Sequence, residues 1–321
     1  MEYGTAIRPG TAYERLAAAI GHVIHGKPEV VRLAVACLFA EGHLLIEDVP
    51  GLGKTTLARA LARSVDGTLR RIQFTPDLLP GDVTGVMVFH QGTFEFHPGA
   101  VFANVVVADE INRGTPKTQA ALLEVMAERT VTVDSQRYEV PRPFLVVATQ
   151  NPVDMAGTYR LPEAQLDRFL MRVSVGYPEH AAEMRVLQDD AGGVNPDQIT
   201  PVLSLEQLRS VIDTVRQAHV APELCDYAIR LAVATRDHPE LQLGASPRGS
   251  VALLRSARAV AATHDRDFVG PDDIKQVATP VLAHRLILTP DAEMRGRTTL
   301  DVLADVLDRE PVPGSAARAY A

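Results

Sequence analysis

The chain of 321 residues has only two cysteines, Cys37 and Cys225, each in an apolar, helix-like context (LAVACLF and ELCDYAI). A disulfide-dense scaffold is excluded, and the pair reads as buried free thiols in a reducing compartment. No apolar run reaches the roughly 18 residues that a membrane-spanning helix needs. The N-terminus lacks a charged-then-apolar leader pattern. A soluble, cytoplasmic protein with no membrane insertion is the expectation. Positive charge is also short: 32 Lys plus Arg stand against 40 Asp plus Glu, a net charge of -8. That balance argues against a protein whose main task is to neutralise phosphate backbones, so no nucleic-acid partner is expected. The ten histidines show no metal-ligand spacing, and there is no internal repeat or low-complexity run.

What is present is a hydrophobic share of 46%, ample for a sizeable core. Apolar residues at helical spacing predict helices over 12–24 and 29–42. Short apolar runs bounded by turn residues predict strands buried on both faces at 43–47, 69–75, 104–110, 143–152 and 172–178. Helices are expected at 54–65, 116–129 and 161–171. Two stretches alternate and read as hairpins: VMVFHQGTFEFHPG, turning at Gln91-Gly92, and RTVTVDSQRYEV, turning near Ser135-Gln136. After Pro178 strand signals vanish and helical patterns follow at 179–190, 204–217, 222–237, 247–264 and 271–283. A boundary near Tyr177-Pro178 divides an α/β unit, residues 1–178, from a nearly all-α unit, residues 179–321. The last residues, REPVPGSAARAYA, are expected to be loosely ordered.

The stretch EDVPGLGKTT lies between the strand GHLLI and the helix LARALARSV. A buried strand, a Gly-rich turn, Lys-Thr and a helix make the phosphate-binding loop arrangement. In Pro50, Gly51, Leu52, Gly53, Lys54, Thr55 and Thr56, the glycines let backbone N–H groups turn toward an anion, and the helix N-terminus favours it. Lys54 brings a point charge to the β- and γ-phosphates, and the Thr55 hydroxyl suits Mg²⁺. The pattern usually opens on glycine, and here Asp48 stands in that place, read as a residue tolerant of unusual backbone angles. VVVADE supplies the second element. Asp109 at a strand end fits the Mg²⁺ shell, and Glu110 is placed to polarise an attacking water. ATQNP offers Asn151, a neutral amide able to position the water or report loss of the γ-phosphate.

Together, DVPGLGKTTLARAL, ADEINRGTPKTQAALLEVMAERTVTV, VVATQNP, LPEAQLDRFLMR and SPRGSVALLRSARA resemble the MoxR family of AAA+ ATPases over roughly residues 14 to 290. The resemblance implies an AAA+ core with a parallel five-stranded sheet, followed by an all-α lid. It also implies ATP and Mg²⁺ as cofactors and a ring, usually hexameric, with ATP at subunit interfaces. Lys54 and Thr55 then match the Walker A motif, Asp109 and Glu110 the Walker B motif, and Asn151 sensor 1. Arg168 in LDRF matches the arginine finger and Arg248 in SPRG sensor 2. Ile24-His25-Gly26 resembles the segment that cradles adenine in such ATPases. Arg160 departs from the proline common in GTYRLPEAQ-like strings, and Arg113 in INRG either serves the interface or closes a turn. A guanidinium stabilises the charge that phosphoryl transfer spreads over the γ-oxygens. Arg168 is expected to point outward, because Leu166 and Phe169 must pack inward. Arg248 follows Ser246 and Pro247, good N-cap and first-turn residues, in a position where the helix dipole disfavours a cation.

The resemblance implies an ATP-hydrolysing, chaperone-like remodeller that matures protein complexes, with a von Willebrand A-like domain protein as the expected client. The hairpins match the helix 2 insert and the hairpin before sensor 1. The first carries Phe89, Phe94 and Phe96 in a chain only 5% aromatic, and some of these are expected to face the core. Two rivals differ in class: a DNA-directed, helicase-like motor, and a nucleotide-gated scaffold with little turnover. The acidic balance weighs against the first, and intact Glu110 and Arg168 against the second.

Overall fold

A computed structural model describes residues 7–152, 158–192 and 195–313. In chain order the first elements are α1 (Pro9–Gly21), α2 (Pro28–Phe39), β1 (Leu44–Glu47), α3 (Lys54–Arg63), β2 (Val65–Asp66), β3 (Leu69–Gln73) and α4 (Pro80–Thr84). The first hairpin, β4 (Gly85–His90) and β5 (Thr93–Pro98), is followed by β6 (Val105–Asp109) and α5 (Pro116–Glu128). The second hairpin, β7 (Thr130–Val133) and β8 (Gln136–Glu139), precedes β9 (Leu145–Gln150), α6 (Glu163–Leu166) and β10 (Met171–Val173). The remainder is α7 (His180–Gly192), β11 (Leu203–Ser204), α8 (Leu205–Gln217), α9 (Pro222–Arg236), β12 (Leu241–Leu243), α10 (Pro247–Thr263), α11 (Pro271–Leu282), β13 (Ile287–Leu288), α12 (Pro290–Met294) and α13 (Thr299–Arg309).

The five expected strands form one parallel sheet in the order β10-β1-β9-β6-β3. Their unbroken apolar runs have a physical reason: both faces of the sheet are covered. Leu44, Ile46, Leu145 and Val147 turn into a core shared with α1, α2 and α3. Leu45, Val146, Val106 and Ala108 turn into a second core, closed by Leu122 and Met126 of α5. Truncating a fully buried residue such as Leu44 to alanine removes about 2–5 kcal/mol.

The first core does not stop at the sheet. It runs on through Leu208, Leu231, Leu253 and Ile274 of the following helices, and α10 packs directly on α1 and α2. Two polar ties reinforce this continuity. β2 and β11 form a two-residue parallel ladder that the helical pattern after Pro178 did not announce. Glu41, its side chain fully buried, accepts hydrogen bonds from Arg129 at 2.6 Å, from Arg142 at 3.1 Å and from Arg216 of α8. Burial alone would raise its pKa, but these arginines outweigh that and hold it below the usual carboxylate range. The arginines are themselves 35%, 47% and 53% exposed, so solvent screens each pair, and losing one of the three costs less than the roughly 3–5 kcal/mol of a fully buried pair.

Several local expectations shift. The second hairpin turns at Asp134-Ser135, both at positive φ, one residue earlier than expected. The helix expected over 161–171 is one turn, 163–166, because β10 begins at Met171. Strands do recur after Pro178, as the short β11, β12 and β13, and α13 was not foreseen. Of the expected tail, residues 314–321 lie outside the described residues. In the first hairpin, Phe96 stacks on Tyr138 of the second at 4.0 Å and meets Phe102 edge-on at 5.5 Å. Phe89 and Phe94 face each other at 5.1 Å and are 63% and 67% exposed, because the hairpin extends past the body. Among the described residues no helix is long and apolar enough to cross a membrane.

Candidate functional site

In a parallel sheet all strand C-termini lie at one edge, where ligands of open α/β folds bind. The register sets Glu47 beside Gln150 and Gln73 beside Asp109, so β1, β9, β6 and β3 end level. A cavity of about 610 Å³ opens there, and the whole run from Pro50 to Thr56 lines it. Gly51 and Gly53 adopt φ of +87° and +80°, which L side chains rarely tolerate, and Gly53 caps α3. Ile24 and His25 form another wall, where Val186 and Asp189 of α7 also stand. Gly26 is not part of this wall. Its φ is +69°, and a Cβ there would meet the Ala182 methyl at 2.9 Å, so its freedom serves the packing of α7.

Lys54 donates to the carbonyls of Asp48 and of Val49, the latter at 2.8 Å. Burial lowers its pKa, against the opposing pull of Asp48 and Glu110. The Thr55 hydroxyl donates to Asp109 Oδ1 at 3.0 Å, and Asp109 is buried. A hydroxyl and a carboxylate meeting beside a helix N-terminus are hard oxygen donors of the kind Mg²⁺ selects. Arg71 donates to the other oxygen, Asp109 Oδ2, at 2.6 Å.

Glu110 sits at φ +54°, in the left-handed region, and its carboxylate is 46% exposed. Its Oε2 accepts from Arg113 at 2.8 Å and from Gln73 at 3.3 Å. Thr149 is a hinge between the acids: its hydroxyl donates to Asp109 Oδ1 at 3.2 Å and accepts from the Glu110 N–H at 3.0 Å. Asn151 lines the cavity, and its carbonyl accepts from the buried Asn112 side chain at 3.0 Å. Reading motif by motif missed Thr149, Arg71 and Gln73. The signal available for each was its position at or near a strand end that the sheet order brings alongside β6.

The two remaining arginines are elsewhere. Neither Arg168 nor Arg248 lines the cavity. Phe169 is fully buried and Leu166 partly so, as expected, but Arg168 does not point outward: it is half-buried and donates to the Leu123 carbonyl of α5. Arg248 is 74% exposed in the first turn of α10, with Nη1 4.0 Å from Asp167 Oδ2. The Ser246 hydroxyl donates to Asp167 at 3.3 Å rather than capping α10. The buried Arg285 completes this cluster with a 2.7 Å bond to Asp167 Oδ1. The fold therefore joins LDRF to SPRG in one patch, apart from the Lys54 cavity. Arg160 is exposed, three residues after the stretch 153–157 that lies outside the described residues. His238, Glu240 and Asp305 bring ligand atoms within 4.8 Å of one another, but Arg297 already donates to both carboxylates.

Comparison with known proteins agrees with this geometry. Residues 43–171 match the ATPase family associated with various cellular activities (AAA), and residues 233–306 match an AAA lid domain. The uncharacterized protein YeaC of Bacillus subtilis is 45% identical over 296 residues, 92% of each chain. The chaperone MoxR1 of Mycobacterium tuberculosis is 42% identical over 290 residues, 87% of this chain and 76% of that one. The crystal structure of a candidate ATPase from Cytophaga hutchinsonii superposes with a TM-score of 0.87 at 36% identity, covering 95% of this chain and 96% of that one. With a Lys54 loop, an Asp109-Glu110 strand end and a helical lid in this order, the chain belongs to the MoxR family of AAA+ ATPases.

Proposed function

We propose that this protein hydrolyses ATP and uses the cycle to remodel or mature protein complexes in the cytoplasm. The observation that carries the reading is the convergence of Lys54, Thr55, Glu110, Thr149 and Asn151 on one cavity at the sheet edge, with Asp109 directly behind. Thr55 and Asp109 would hold Mg²⁺, which when bound supplies positive charge to the phosphate oxygens. Lys54 brings a second positive charge, and the α3 N-terminus orients backbone N–H groups toward the same place. Glu110 accepts a proton from the attacking water, once its carboxylate turns from Arg113. Asn151 positions that water. Ile24 supports the adenine ring from the wall opposite the loop, with Gly26 shaping the turn beside it.

Arg168 and Arg248 act on the cavity of a neighbouring subunit. Their absence from the lining of the chain's own cavity, and the exposure of Arg248, support a ring, for which we propose six subunits. Residues 1–178 form the nucleotide-binding unit and 179–321 the lid, parting near Tyr177-Pro178. The client is a protein, of the von Willebrand A-like class, and meets the exposed Phe89–Phe94 tip of the first hairpin. The deciding experiment incubates Glu110→Gln with ATP and captures co-purifying proteins. The reading expects tight ATP binding, hydrolysis slowed by at least about 10²-fold, and a retained client. Unchanged hydrolysis would overturn it. Replacing His90-Gln91-Gly92-Thr93 with a Gly-Ser turn is expected to preserve basal hydrolysis and remove client stimulation. Equal stimulation by the same clients would move the client site elsewhere. Nucleic acid is not expected as a partner, and steeply salt-dependent DNA binding in a gel shift would favour the helicase-like alternative.

A further inference from the structure

Asp48 stands directly after β1, where a phosphate-binding loop usually has its first glycine. Unusual backbone angles do not account for it, since its φ is not positive. Its side chain does. Oδ2 accepts from the Gly176 N–H and from the Ser174 hydroxyl, both at 2.7 Å, and Oδ1 accepts from the Val49 N–H at 3.0 Å. Hydrogen bonds to an ionised carboxylate are roughly twice as strong as neutral ones. Burial alone would raise the Asp48 pKa, but these donors outweigh it and hold the pKa below the usual range, so the acceptor is charged at neutral pH.

The partners of this carboxylate lie in the passage from β10 to α7, the single covalent route from sheet to lid. Gly176 lines the nucleotide cavity at φ +67°. The next residue, Tyr177, offers its carbonyl to Lys27 Nζ at 2.8 Å, and Lys27 lines the same cavity. The backbone of Asp48 faces the chemistry. Its carbonyl accepts from the Lys54 ammonium, and its N–H donates to the Gln150 carbonyl at 3.3 Å, one residue before Asn151. One residue thus touches the loop lysine, the strand end carrying Asn151 and the passage to the lid.

We propose that Asp48 is a positioning residue that couples the phosphate-binding loop to residues 174–178, so that engagement of Lys54 by phosphate is transmitted to the start of the lid. The inference rests on the ATP-binding reading of the Lys54 cavity. A phosphate competes with the Asp48 and Val49 carbonyls for the lysine ammonium. When the ammonium leaves, the 48–49 peptide loses a charged partner and relaxes. The carboxylate on the same residue carries that movement to Gly176. Glycine at this position would support phosphate binding but leave the Gly176 N–H and the Ser174 hydroxyl without their acceptor.

The test measures amide hydrogen exchange of the 174–178 segment in the full chain, with and without ATP, in wild type, Asp48→Gly, Ser174→Ala and Lys54→Ala. Wild type is expected to show slow exchange at Gly176 that changes when ATP is added. Asp48→Gly is expected to exchange at least about tenfold faster there, the loss of one charge-assisted hydrogen bond, and to lose the response to ATP. ATP binding should remain measurable in this variant, since glycine belongs to the ordinary pattern. Ser174→Ala leaves the loop untouched and should accelerate exchange in the same direction by about two- to fivefold, which keeps the test available if Asp48→Gly folds poorly. Lys54→Ala removes the ammonium outright, so Gly176 should exchange as it does in ATP-bound wild type and show no further response to ATP, while ATP binding is lost. Unchanged Gly176 exchange, or a preserved response to ATP in Asp48→Gly, would overturn the coupling and leave the nucleotide reading standing. Unchanged ATP affinity in Lys54→Ala would instead overturn the nucleotide reading itself.

Discussion

The Lys54 cavity and the Asp167 patch are built from the same family signature but by opposite means. The cavity is assembled within one chain, from the ends of strands held in register by a sheet buried on both faces. The patch gathers LDRF and SPRG, about 80 residues apart, and leaves Arg248 in solvent with a weak 4.0 Å approach to Asp167. A site that is complete needs only its ligand. On the proposed reading, the exposed arginine of the patch serves hydrolysis on a second copy. The contrast teaches that nucleotide binding should belong to the single chain, and turnover to the assembly.

The largest effect should come from Arg168, the chain neighbour of the patch residue Asp167. Arg168→Ala is expected to reduce ATP hydrolysis about 10³-fold while leaving ATP affinity within a few-fold of wild type. Mixing Arg168→Ala with Lys54→Ala subunits should restore part of the activity, wherever an intact cavity meets an intact arginine. A strictly monomeric wild type with full turnover, measured by light scattering beside an ATPase assay, would break the comparison.

Next in size is the cavity. Lys54→Ala should weaken ATP binding by about 10²-fold in calorimetry, because a largely desolvated phosphate charge loses its counter-charge. The same substitution should leave ring formation in the absence of nucleotide unchanged.

A third prediction separates the scaffold beneath the cavity from the site itself. His43 is buried at the start of β1, where Nε2 donates to the Met126 carbonyl and Nδ1 accepts from the Val146 N–H, each at 3.0 Å. Burial disfavours the charged ring and, with Arg129 and Arg255 nearby, lowers the pKa to about 4 against the opposing bond to Met126. The unfolded chain, with an ordinary histidine pKa near 6.5, binds more protons between those values. Stability is therefore full above about pH 6.5 and is lost as pH falls toward 4. About 2 kcal/mol should be gone by pH 5, read from urea unfolding at pH 7.5 and pH 5. His43→Gln should flatten this dependence.

The smallest effect concerns Arg113. Its 2.8 Å bond to Glu110 is half exposed on both sides, and such pairs contribute about 0–1 kcal/mol. Arg113→Ala should raise basal hydrolysis by no more than about fivefold by releasing the Glu110 carboxylate. A loss of more than about tenfold would place Arg113 with the patch arginines instead.

The amino-acid sequence by itself determined the five buried strands, the loop at Lys54 and the acid pair at Asp109 and Glu110, while their parallel arrangement followed from the family resemblance. Those features are written in contiguous residues: an apolar run buried on both faces cannot alternate, and a positive φ selects glycine at 51 and 53. Only the tertiary structure decided what lies between segments. It set Thr149 between the two acids and Arg71 on Asp109, because register rather than order in the chain makes those neighbours. It also turned Arg168 toward α5 instead of outward. Asp48 shows the limit most clearly. Read alone it is a departure from a glycine pattern, and its meaning appears only when Ser174, 126 residues later and just past the end of β10, comes within hydrogen-bonding reach. A hydrogen bond is a property of two positions, and one position in a string records only half of it.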